Sequence, residues 1–106
     1  MISPFDTFEV ETFYVIFDQN GEEKWSGSSL EGHNLDDICT NLKDQFKYGF
    51  WTGFDSREWA YENLKGDFFL IDESIYRRSN EEMVSQRILL LLNDEEDAVA
   101  FKLRWI

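Results

Sequence analysis

The chain has 106 residues, 42% apolar and 17% aromatic, and a formal net charge of −12 from 22 acidic and 10 basic side chains. That length allows one domain with a single modest core, and so many aromatics argue against a disordered chain. The charge disfavours nucleic-acid backbones and anionic membranes as partners, and a lone Cys39 leaves no intramolecular disulfide or cysteine-rich zinc site within these residues.

The opening residues, MISPFDTFEVE, lack the basic start and apolar run of a signal peptide, so a cytoplasmic location is expected. Residues 1–7 read as a loosely held tail of a single domain spanning 1–106. From Phe8 to Phe17 the pattern is that of a strand. Phe8, Val10, Thr12, Tyr14 and Ile16 share one face by the period of two, and Phe13, Val15 and Phe17 share the other. The Asn20-Gly21 pair then marks a hairpin turn, with Lys24–Gly27 as the return strand. Asn34 stands as a helix N-cap before Asp36 and Asp37, which suit the positive end of the helix dipole. Leu35, Ile38, Cys39, Leu42 and Phe46 follow on one helical stripe, and this helix is expected to end at Tyr48-Gly49, with Gly49 as its C-terminal cap.

The stretch KYGFWTGFDSREWAYEN, residues 47–63, holds six aromatics and two glycines. Residues 50–54 read as a glycine-punctuated link, and Asp55-x-x-Glu58 as the start of a second short helix that Gly66 stops. A strand is expected from Asp67 to about Asp72, followed by an irregular piece. Ser79-x-x-Glu82 has the form of a capping box, so a third helix is expected from Asn80 to Gln86. The run Ile88–Leu92 reads as a buried strand and is far too short to span a membrane. Residues 94–105 alternate like a strand, yet their acids lead and Lys102 and Arg104 trail, the charge order of a helix, and helix is preferred. The expected fold class is α+β: a mostly antiparallel sheet of about four strands with helices packed on one face.

The ending DEEDAVAFKLRWI resembles that of small proteins from tailed bacteriophages, through Asp97, Ala98, Phe101, Lys102, Leu103 and Trp105. The resemblance covers residues 97–105 only. It implies a phage origin, and by analogy a protein that acts on other macromolecules, but it carries no catalytic residue across.

Enzyme signatures are lacking: there is no glycine-rich phosphate loop and no nucleophile elbow, so no catalytic residue and no cofactor is assigned. His33, the one histidine, lies near Glu31, Asp36 and Asp37, but their spacing matches no metal loop, and it reads as an exposed loop residue. A small ligand-binding protein or enzyme with a site near His33 is the remotest alternative. The acids Asp36, Asp37, Glu81, Glu82, Asp94, Glu95 and Glu96 are candidates for an acidic surface. A DNA mimic would need such acids in a regular row, matching one charge per roughly 1.7 Å of duplex. The main expectation is a binding protein that modulates or inhibits a host protein. Phe50, Trp51, Phe54 and Arg57 form its contact surface, because exposed aromatics beside an arginine are the composition of an interface hot spot. Trp59 and Tyr61 are assigned to the core. The expected partner is a host or phage protein with a basic or apolar groove, or a second copy of the chain; DNA mimicry is the alternative.

Overall fold

A computed structural model of the chain describes residues 10–32, 34–43 and 45–106. The expected tail at 1–7, the first strand residues Phe8 and Glu9, the loop residue His33 and the side chains of Leu35 and Cys39 lie outside the described residues. The elements in chain order are β1 (Val10–Asp18), β2 (Glu23–Ser28), a 3-10 turn (Ser29–Glu31), α1 (Leu35–Lys43), β3 (Tyr48–Thr52), α2 (Ser56–Asn63), β4 (Phe68–Arg77), β5 (Glu82–Leu92) and α3 (Glu95–Trp105). The strands form one antiparallel sheet in the order β2-β1-β4-β5-β3. The expected α+β class is what the structure shows, with five strands. The molecule measures 52 × 26 × 21 Å.

Alternation along the strands divides the core in two. Phe68, Leu70, Ile88, Leu90 and Leu92 face α2 and α3 and pack on Ala60, Ala98 and Phe101. Tyr14, Ile16, Ile71, Leu89 and Leu91 face the other way, onto Ile38 of α1 with Leu42 and Phe46 beside it. α2 and α3 thus share a face, but α1 covers the opposite one, so the helices do not all pack on one face as expected: alternation leaves both faces of the central strands apolar. Burial on both sides explains why the sequence runs Ile88–Leu92 without a polar break.

Each local signal has a physical outcome. The β1–β2 hairpin turns at Gly21, whose φ is +78°. Asp18 organises that turn: its Oδ1 accepts the N–H groups of Asn20 and Glu22, each at 2.9 Å. These bonds, that of Glu22 foremost, hold the Asp18 carboxyl below its ordinary value of 3.8, with burial opposing and Lys24 at 3.6 Å assisting. The resulting stability is present above the unfolded-state value and is lost as pH falls through the lower folded-state value. Asp18→Asn is therefore expected to lower the urea midpoint more at pH 7 than at pH 3. An equal loss at both would contradict this account.

At α1, Asn34 caps as its position suggests: its Oδ1 accepts the Asp37 N–H at 2.9 Å. The helix ends at Lys43, however, and not at Tyr48-Gly49. Residues 48–52, expected as helix end and link, instead form edge strand β3 against Ile88–Leu92. Gly49 is a close-packing position there, since a Cβ would come within 3.2 Å of Leu91 Cδ2. Tyr48, Phe50 and Thr52 alternate with Gly49 and Trp51, a period of two that the glycines obscured. α2 begins after Asp55 as expected, but the Asp55 side chain makes no cap; Ser56 Oγ donates to Gly53 O at 2.9 Å instead.

The expected helix at 80–86 is absent. Glu82–Leu92 is one strand, paired with β4 along its length, and the irregular piece expected after Asp72 is the second half of β4. The polar residues that resembled a capping box build a hairpin turn, in which Asn80 Oδ1 accepts the Glu82 N–H at 3.0 Å and Glu81 takes a φ of +57°. Asn and Asp side chains serve turns and caps by the same hydrogen bond, so the same residues fit either setting. At 95–105 the helical charge order prevailed over strand alternation: α3 is a helix, and Asp94 caps it by accepting the Asp97 N–H. No helix among the described residues is long and apolar enough to cross a membrane.

Candidate interface beside the second helix

The four residues expected to form a contact surface are separated by strand alternation. Phe50 and Trp51 are neighbours on β3 and therefore point to opposite faces. Phe50 is half-buried and packs against the core: its ring stacks on Phe101 at 5.2 Å, at the edge of the cluster under α2 and α3. Trp51 lies on the α1 side of the sheet, 40% exposed, with the Arg87 guanidinium 3.6 Å from its ring centroid. Arg87 Nε also donates to Glu73 Oε1 at 2.6 Å. The Glu73 carboxylate is nearly enclosed, so it depends on that partner, and the Trp51 ring lies against the same guanidinium.

Phe54 and Arg57 do come together, joined by Tyr61, a ring expected only in the core. Phe54 sits in the turn before α2, 47% exposed. One α-helical turn along, the Arg57 guanidinium lies 4.4 Å from the Phe17 ring centroid and 5.8 Å from those of Phe54 and Tyr61. Three rings around one cation hold the arginine in place and lower the entropy lost when a partner engages it. Burial raises the Tyr61 hydroxyl above its ordinary value, with the Arg57 charge partly offsetting it. Tyr61 therefore stays a neutral phenol near pH 7.

Phe54, Arg57 and Tyr61 line an open cleft of about 720 Å³ together with Asp55, Glu58 and Glu62, while Phe17 supports Arg57 from behind. An aromatic and arginine floor inside an acidic rim can receive an apolar side chain together with a flanking lysine or arginine. The contribution of Phe17 was hidden from the sequence, forty residues away on β1. The i, i+3 and i, i+4 spacing of Phe54, Arg57 and Tyr61 was the available signal, and it shows only when the turn before α2 is read as continuous with the helix.

The seven acids considered for a charged surface fall in three places. Glu81 and Glu82 are at the β4–β5 turn, whereas Asp94, Glu95 and Glu96 follow the far end of β5. The ten β5 residues from Met83 to Leu92 separate them, roughly 33 Å of strand. Asp36 and Asp37 open α1 on the other side of the sheet, and Asp37 Oδ2 there accepts the Asn34 side-chain N–H. Asp94 is committed to capping α3. The seven do not make one row. Among the described residues no three His, Cys, Asp or Glu side chains are grouped to hold a metal ion, and the site considered at His33 lies outside those residues.

The tail motif has a structural explanation. Asp97 is 4% exposed, and its carboxylate accepts the backbone N–H groups of Lys65 at 3.1 Å and Gly66 at 2.8 Å. Ala98 and Phe101 are buried against the sheet, and Trp105 meets Trp59 edge to face at 6.5 Å. Lys102 lies 5.6 Å from the Phe50 ring, while Leu103 faces outward. No family model matches the chain, and neither a curated protein nor a solved structure is significantly similar to it.

Proposed function

We propose that this acidic protein is a non-enzymatic binding protein that captures another protein through the cleft beside α2. The observation that carries this reading is the half-exposed Phe54 ring next to Arg57, already held among three aromatics and ringed by Asp55, Glu58 and Glu62. The partner such a cleft fits presents an apolar side chain bordered by lysine or arginine. A net charge of −12 would draw a basic face toward it and speed encounter. The tail resemblance supports a phage-encoded protein acting in the host cytoplasm to modulate or inhibit a host protein.

A tagged pull-down from bacterial lysate, washed at low and high salt, tests this. The expected partner survives high salt, because its contact is mainly aromatic, and Phe54→Ala weakens it by about 10–100-fold. Trp51→Ala, on the opposite face, should leave capture unchanged. A nucleic-acid-binding partner released by salt and indifferent to Phe54→Ala would replace this reading with DNA mimicry.

A further inference from the structure

The face of the sheet that carries α2 and α3 is only partly covered by them. Beyond their reach, Phe13 of β1 and Tyr76 of β4 lie on that same face by register, their rings edge to face at 5.6 Å. With Leu30 of the 3-10 turn and Arg77 and Arg78 of the hairpin they line an open groove of about 450 Å³. Phe13 and Leu30 are both substantially exposed, and among the described residues no carboxylate lies within ion-pair distance of either arginine. Glu11 and Glu81 complete the lining.

α3 has the complementary surface. Its inner side packs on the sheet through Ala98 and Phe101, yet its outer side is apolar as well. Val99 is 50% exposed and Leu103 83%, and with Glu95 they form an i, i+4, i+8 stripe that Glu96 borders. A helix apolar on two sides is ordinarily covered on two sides.

We infer that a second copy of this chain covers both surfaces: α3 of each copy lies in the Phe13–Tyr76 groove of the other, related by a two-fold axis. Charge complementarity selects this occupant. The acids that open α3, Glu95 and Glu96, border its outer apolar stripe and meet Arg77 and Arg78 of the groove, the charges left without an ion-pair partner among the described residues. The stripe of Val99 and Leu103 meets Phe13, Tyr76 and Leu30, the helix-in-groove mode of recognition. Because groove and helix lie on the same side of one sheet, each dimer repeats the contact, as an isologous interface requires. The cleft beside α2 is a separate surface, so this inference does not depend on the proposed function.

The test is molar mass by light scattering during gel filtration, near 150 mM salt and at tens of micromolar chain. Twice the 12.7 kDa of one chain is expected. Leu103→Asp should give a monomer with an unchanged circular dichroism spectrum. The decisive experiment is a charge exchange. R77E/R78E and E95K/E96K should each be monomeric alone, and equimolar mixing should restore the dimer, since both contacts are then again opposite in sign. A monomeric wild type at these concentrations, a dimer that survives Leu103→Asp, or a mixture that stays monomeric would each overturn the inference.

Discussion

Phe101→Ala is expected to cost about 3–5 kcal/mol, the range for removing a fully enclosed phenylalanine from a packed core. The ring has no exposed surface, stacks on Phe50 at 5.2 Å and meets Trp59 edge to face at 6.1 Å. It joins the edge strand, α2 and α3, so its loss loosens three elements at once. None of these can collapse into the void without leaving the sheet. Against a total of about 5–15 kcal/mol for a domain of this kind, such a loss would leave a measurable unfolded population. Phe101→Leu keeps most of the volume and should cost about 1–1.5 kcal/mol. Urea denaturation followed by tryptophan fluorescence reads both. If alanine cost no more than leucine, α3 would not be packed as described.

Asp97→Ala is expected to cost about 3 kcal/mol. Its carboxylate satisfies two backbone donors in the connection between α2 and β4, at a position almost without water. Removing it strands the N–H groups of Lys65 and Gly66, and charge-assisted bonds of this kind contribute about 1.5–3 kcal/mol each. Asp97→Asn keeps one acceptor and should lose about half as much. Gly66 belongs to the same device, because a Cβ there would come within 3.0 Å of Asp94 Cβ and 3.3 Å of Asp97 Oδ2. Gly66→Ala should therefore also destabilise, and the double variant should lose less than the sum of the two, since both changes break one contact. Strict additivity in urea midpoints would show that Asp97 does not act through that backbone.

The same two residues explain why the tail motif says little about activity. Asp97, Ala98, Phe101 and Trp105 face inward, and the structural demands on them account for that spacing without any partner. A motif of buried residues points to how a helix is docked, whereas function rests on side chains that reach solvent.

The candidate interface was half legible for a related reason. The sequence reading picked an aromatic segment with an arginine, and Phe54 and Arg57 do line one cleft. It also grouped Phe50 and Trp51 with them. Once residues 48–52 pair with β5, adjacent side chains point to opposite faces, so Phe50 packs against the core and Trp51 joins Arg87. Phe17 reaches Arg57 from a strand distant in the chain, and no local pattern predicts that contact.

What the sequence by itself determined is the part ruled by neighbours along the chain: the β1–β2 turn at Asn20-Gly21, the Asn34 cap, the run Ile88–Leu92 and the charge order of α3. The turn, the cap and the charge order depend on bonds or dipoles within a few residues, which any fold must respect, and the apolar run shows directly as a segment to be buried on both sides. Only the tertiary structure decided the rest. Whether 48–52 and 82–87 were strand or helix turned on pairing with β5 and β4, and pairing is a non-local interaction that outweighs weak local preference. Polar residues at 79–82 satisfy a turn as readily as a helix start, and an antiparallel partner of ten residues selected the turn.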